Sequence, residues 1–251
     1  MNPVAIALAV IAALFVAMLV LIEAGRRIGL ERKYEGLGAV EGAVFGLMAL
    51  LMAFTFGSAA VRFDTRRSLI VEEANDIGTA YLRLDLLPAE AQPKLRDAFR
   101  RYVDSRLAVY GSFPDVEAAK ADLARSTELQ KEIWDGSVAA YRESGSTTPT
   151  ILLLPALNAM IDITTTRTAA LRTHQPAMIF VMLGLTMLAC SLLAGFGMSA
   201  GTDRSWLHVV GFAAVLTMAF YVILDLEYPR AGLIRVDWMD QLLRDLRSSM
   251  G

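Results

Sequence analysis

The stretch from Gly38 to Leu86 constrains this chain more than any other. It contains no proline, and its two halves make opposite demands on their solvent. From Leu37 to Ala60 the polar side chains are Glu41, Thr55 and Ser58, which leaves enough apolar length to cross a hydrocarbon core of roughly 30 Å. The second half is charged, yet Phe63, Ile70, Ala74, Ile77, Tyr81 and Leu84 recur at the spacing of one helix face. Nothing between Ala59 and Phe63 caps or breaks a helix. The stretch therefore predicts one rod that crosses a membrane and continues into an aqueous domain.

The membrane half of that rod carries two distinct faces. Gly42, Gly46, Ala49, Ala53, Gly57 and Ala60 form a stripe of small residues, the pattern that lets a second helix approach closely in lipid. Opposite it lie Leu51, Thr55, Ser58 and Arg62, with Phe54 nearby. Polar character rises along this second face toward the charged end, as it would on a wetted pore wall. The competing reading places the same face against lipid, with the Thr and Ser hydroxyls bonded back to backbone carbonyls.

The rest of the chain extends this plan. Val4 to Ile22 is a run of nineteen apolar residues, with neither the basic start nor the cleavage site of a signal peptide, so a retained span is expected. The charged linker GRRIGLERKYEG follows it. After the rod, Pro88 and Pro93 stop one helix and open another, to about Tyr110. Pro114 suits the first turn of a helix running to about Glu143, and a further helix from Thr150 is expected to kink near Pro155. Pro176 opens a third span, the short hinge TDRS precedes a fourth that begins at Trp206, and Gly211 and Ala214 offer it close contacts. The tail places Leu233, Ile234, Val236, Met239, Leu242, Leu243 and Leu246 on one broad helix face. The expected class is all-α: spans one and two within residues 1–60, a helical aqueous insert over 61–175, spans three and four within 176–227, and an amphipathic tail over 228–251. A mean hydropathy of +0.45 over 251 residues suits four spans plus a water-soluble insert.

Several chemistries find no residues to carry them. A formal charge of −2 gives no basic field for nucleic acid. The single cysteine, Cys190, excludes an internal disulfide. His174 and His208 have no Cys or carboxylate at ligand spacing, so neither metal nor cofactor is expected. GFGMSAGT (195–202) lacks the preceding strand and following lysine of a phosphate loop. No nucleophile–base pairing is visible, and no catalytic residue is assigned. Glu72, Glu73 and Asp76 share one helical turn, where a solvated face or salt-bridge partners are the expected roles. Glu41, Asp225 and Glu227 are ionisable groups at the ends of spans, read as interfacial carboxylates.

Two spans on each side of the insert put both termini and the insert on one side of the membrane. The summed arginines (Arg62, Arg66, Arg67, Arg167, Arg172, Arg230 and Arg235) favour the cytoplasm for that side. The density of Arg26, Arg27, Arg32 and Lys33 in the first linker, with Arg204 in the hinge, argues the reverse.

The run FTFGSAAVRFDTRRSLIVEEANDIGTAYLRLDLLP (54–88), with LDLEYPRAGLIRV (224–236), resembles the bacterial bestrophin-like membrane proteins, and the order of helices agrees across nearly the whole chain. It is more distantly similar to bestrophins themselves. Those are oligomeric ion channels in which one helix lines the pore with an apolar neck and runs on into a cytoplasmic helical domain. Phe54, Phe56 and Gly57, followed by Arg66 and Arg67, resemble that neck and the basic stretch after it, although paired arginines stand where bestrophins have an arginine with tryptophans. No bestrophin-type calcium-binding acidic cluster is recognisable. The resemblance implies an oligomeric ion channel for small ions in the bacterial inner membrane, with insert and termini cytoplasmic. The small-residue stripe makes it a homo-oligomer, with Leu51 and Phe54 its expected constriction and a ring of Arg62 the expected source of its preference for anions. Leu51, Phe54, Thr55, Ser58 and Arg62 would line its pore. The alternative is a non-conducting membrane scaffold or sensor, whose insert binds a partner and whose tail lies on the bilayer or docks on the insert.

Overall fold

The computed structural model describes residues 3–31, 38–112, 115–145, 147–200, 206–230 and 232–251. Arg32, Lys33 and Glu35 of the first linker, Pro114, and the TDRS hinge with Arg204 lie outside them. Among the described residues every regular element is helical: α1 (Pro3–Glu31), α2 (Gly38–Leu82), α3 (Gln92–Gly111), α4 (Val116–Ser144), α5 (Thr148–Arg172), α6 (Ala177–Gly197), α7 (Trp206–Glu227) and α8 (Gln241–Ser249). Four stretches among the described residues are long and apolar enough to cross a membrane, which makes this a multi-pass membrane protein.

The rod is a single helix. α2 runs unbroken to Leu82 and tightens into one 3₁₀ turn, Arg83–Leu86, ahead of Pro88. α1 is longer than its apolar run: Gly25 to Glu31, expected to be linker, is helical. Glu23 carries the helix across the polar boundary by pairing with Arg26 and Arg27 three and four residues on. α4 begins after Asp115, whose carboxylate accepts from the Glu117 and Ala118 amides at 3.1 Å and so satisfies two of the donors that a helix start leaves orphaned. α5 continues through Pro155. The tail departs from the expected single helix. Only a 3₁₀ turn (Asp237–Asp240) and α8 are helical beyond residue 231.

The chain divides into two compact units. The first comprises residues 1–63 and 174–233. Its tightest crossing joins α1 to α6 through glycine. A Cβ at Gly25 would overlap the Leu192 carbonyl, one at Gly195 would overlap the Ile22 carbonyl, and one at Gly29 would overlap Ser199. Backbones that close can only be built from residues without side chains. α7 meets α1 where the Thr217 hydroxyl lies 3.5 Å from the Met18 sulfur, and α2 meets α7 edge to face through Phe45 and Phe212. Gly211, expected to sit in a close contact, has open space where a Cβ would be.

The second unit comprises residues 64–173 and 234–251. Its core gathers the periodic face of α2 (Ile77, Tyr81) and Leu84 against Phe99, Tyr102 and Val103 of α3, Ile133 of α4 and Leu157 of α5. α8 closes this core: Leu243 is fully buried in it, Leu246 packs on Gly78, and the Met250 carbonyl accepts from the Tyr81 hydroxyl at 3.1 Å. Of the tail's expected apolar face, Val236, Met239 and Leu243 are buried, whereas Leu233 and Leu242 are exposed.

Candidate functional site

Two buried ionic clusters and one uncovered helix face stand out. The first cluster lies in the first unit, at the end of its spans, where α2, the last residue of α7 and the segment just ahead of α6 bring polar groups together. Glu227, the last residue of α7, is fully buried. A carboxylate removed from water is stable only when paired. Arg62 of α2 supplies the pair through Nε at 2.7 Å, and its Nη2 reaches Glu227 and Gln175 as well. His174 lies with Nδ1 3.6 Å from the other carboxylate oxygen, its ring stacked on Tyr228 with centroids 4.8 Å apart. The Ser58 hydroxyl sits 3.0 Å from the Thr55 carbonyl and 3.1 Å from Gln175 Oε1. Thr55 is buried and donates to the Leu51 carbonyl at 2.6 Å. Thr55, Ser58 and Arg62 thus share a face, as the spacing predicts, and within the single chain Ser58 and Arg62 on it meet Gln175, just ahead of α6, and Glu227 at the end of α7. The hydroxyls do bond back to the backbone, but beside protein groups.

Asp225, half a turn earlier, is also buried. Both its oxygens lie 3.0 Å from the Leu233 amide, so it folds the segment after α7 back on itself. Gly232 is required there, because a Cβ would strike that carboxylate. Sequence reading treated Asp225 and Glu227 as interfacial. The arginine that reveals Glu227 as half of a pair is 165 residues away, which no local pattern exposes.

The second cluster lies inside the second unit. Of the acidic turn, Glu72 is exposed, Asp76 is half-buried and Glu73 is fully buried. Burial, and secondarily the like charge of Glu72, push the Asp76 carboxyl up. Glu73 accepts from Arg106 Nε at 2.5 Å and from Arg167, while the Tyr110 hydroxyl lies 3.2 Å from its second oxygen. Both guanidinium groups sit over the Tyr110 ring, at 5.1 and 4.0 Å from its centroid. Glu73 is a salt-bridge partner, one of the two roles expected for it. This cluster ties α2, α3 and α5 together. No group of three His, Cys, Asp or Glu among the described residues is placed to hold a metal.

The uncovered face belongs to α2. Gly42, Gly46 and Gly57 have nothing within 4 Å of where a Cβ would be, and Ala49 and Ala53 are exposed. Beside this stripe, about a quarter turn round the helix, runs a line of larger exposed side chains: Leu47, Leu50, Phe54 (69%) and Val61 (66%). Ala60 and Leu51 are half-buried at the two margins.

The fold has counterparts among known proteins. Crystal structures of a bacterial bestrophin homologue from Klebsiella pneumoniae, in two different single-substitution variants, superpose with TM-scores of 0.69 and 0.66 at 18% and 17% identity. They cover 95% and 92% of this chain and 98% of the homologue in each case, a likeness of fold. No curated protein matches the sequence. The sequence model of the bestrophin-like domain matches residues 7–238, from the first span to the start of the tail, and on that match the chain belongs to the bestrophin-like family.

Proposed function

We propose that the protein is a homo-oligomeric ion channel of the bacterial inner membrane, with α2 lining the pore and with the insert and termini in the cytoplasm. The carrying observation is the division of α2 into a pinned face and an uncovered one. Arg62, Ser58 and Thr55 are committed to groups of their own subunit, so we assign them to anchoring the helix. The uncovered side then supplies both requirements of an assembled pore: a small-residue stripe for a neighbouring copy, and beside it an apolar line for the wall. Phe54, the bulkiest exposed side chain of that line, is the proposed constriction, with Leu50 and Val61 on either side. Apolar rings of this kind gate by dewetting. A preference for anions is part of the reading; with the Arg62 charge paired to Glu227, it is not assigned to a ring of Arg62. The scaffold or sensor alternative has the tail lying on the bilayer or docked on the insert, and the packing of α8 into the insert's core is compatible with it. The channel is preferred for the division of α2 alone.

Planar-bilayer recording tests the proposal. The wild type is expected to conduct and, under a salt gradient, to reverse toward the equilibrium potential of the anion. Phe54→Ala should raise the conductance at least about two-fold by removing an apolar ring. Folded, oligomeric protein that passes no current across a range of voltages overturns the channel. Unchanged conductance in Phe54→Ala moves the constriction elsewhere.

A further inference from the structure

At the opposite end of the first unit's spans, α1 and α7 leave a groove of about 460 Å³ between them. Its walls are Leu19 and Val20 of α1 and Val209 of α7, and its rim carries Arg26, Arg27 and Trp206. Val20 is 61% exposed and Trp206 is 52% exposed. Apolar walls below and an indole at the mouth are the layout of a membrane–water interface. The rim is charged in an ordered way. Glu23 Oε1 accepts from Arg27 Nε at 3.0 Å and from Arg26 Nη2 at 3.5 Å, and its Oε2 accepts from Arg26 Nε at 3.4 Å. One carboxylate thereby holds two guanidinium groups side by side, and the three side chains sum to one positive charge. The Arg27 side chain remains 75% exposed.

We propose that this groove binds an anionic glycerophospholipid, with its phosphate bridging Arg26 and Arg27 and an acyl chain along Leu19, Val20 and Val209. The rim distinguishes lipid classes by charge. A headgroup of net charge −1 neutralises the excess at the rim, whereas a zwitterionic headgroup leaves it. Both Glu23 oxygens already face guanidinium groups, so an ammonium on the headgroup finds like charge there rather than a partner. Planar guanidinium pairs also match phosphate in two-point geometry. The apolar walls lie within the spans, where acyl chains cover them, so a headgroup held at the rim with its own chain along the walls fits the groove better than a free phosphate does.

Native mass spectrometry of the intact oligomer in detergent tests this, with phosphatidylglycerol, phosphatidylcholine or glycerol 3-phosphate as the probe. The wild type is expected to retain phosphatidylglycerol over phosphatidylcholine, and glycerol 3-phosphate should not displace it. The double variant Arg26→Gln, Arg27→Gln should lose roughly ten-fold in phosphatidylglycerol affinity, the scale of one charge-assisted hydrogen bond. Val20→Trp, which fills the groove and leaves the rim intact, should lower retention of both lipids at unchanged oligomer size. Equal retention of the two lipids by the wild type overturns the proposal, as does a double variant that keeps wild-type preference. Full displacement by glycerol 3-phosphate overturns the acyl-chain part. A Val20→Trp protein that changes oligomer size with lipid retention intact gives the groove to a neighbouring subunit instead.

Discussion

Glu73 shows how much a single side chain can hold in this protein. It is one carboxylate against two buried guanidinium groups, so Glu73→Gln removes the counter-charge that Arg106 and Arg167 share. Removing one partner of a buried ion pair costs about 3–5 kcal/mol. Chemical denaturation of Glu73→Gln should show a loss of that size in the second unit, while Glu72→Gln on the exposed neighbouring position stays within about 0.5 kcal/mol of wild type. Equal effects from the two would mean that Glu73 is not the hub. The acidic turn was legible in the sequence, and salt bridging was one of its two expected roles. Which carboxylate turns inward was not, because its arginines are 33 and 94 residues away and only tertiary packing brings them together. Arg62 teaches the same lesson. Its position on one face with Thr55 and Ser58 followed from spacing alone, whereas its pairing with Glu227 did not.

Among the elements, glycine does two different jobs. Gly25 and Gly195 sit where α1 and α6 touch backbone to backbone, whereas Gly42, Gly46 and Gly57 face open space in the single chain. Gly195→Val is therefore expected to prevent α1 from docking and to abolish accumulation of folded protein. Gly46→Leu should leave the subunit folded but reduce its oligomer size on a sizing column, if the stripe is where copies meet. Wild-type size for Gly46→Leu would remove the stripe from the assembly. The spans themselves were legible because apolar runs of that length have few alternatives. The Gly25–Gly29 repeat was not read as a packing motif, because Arg26 and Arg27 between its glycines looked like linker charge. The tail also misled: its apolar residues fit one broad helix face, but a turn fixed by Asp225 and Leu233 uses up the first of them before α8 begins.

For the whole molecule, the grouping of residues 234–251 with 64–173 bears on topology. A C-terminal segment whose Leu243 is buried among α2, α3 and α5 residues has to lie on the same side of the membrane as the insert. Reporter fusions check the proposed side: alkaline phosphatase at the C-terminus should be inactive and a fluorescent protein there should mature. An active phosphatase would place the insert, tail and N-terminus together in the periplasm.

The α1–α6 crossing also has a consequence for biosynthesis. The two glycines that meet there are separated by roughly 170 residues of chain. At a synthesis rate of about 5–20 residues per second, the first span waits some 10–35 s before its closest partner exists. During that interval α2 joins it, but the backbone groove at Gly25 and Gly29, which Leu192, Phe196 and Ser199 occupy in the folded unit, has none of those partners yet. Its uninterrupted apolar run from Val4 to Ile22 lets it persist in the bilayer without that partner until the third span arrives.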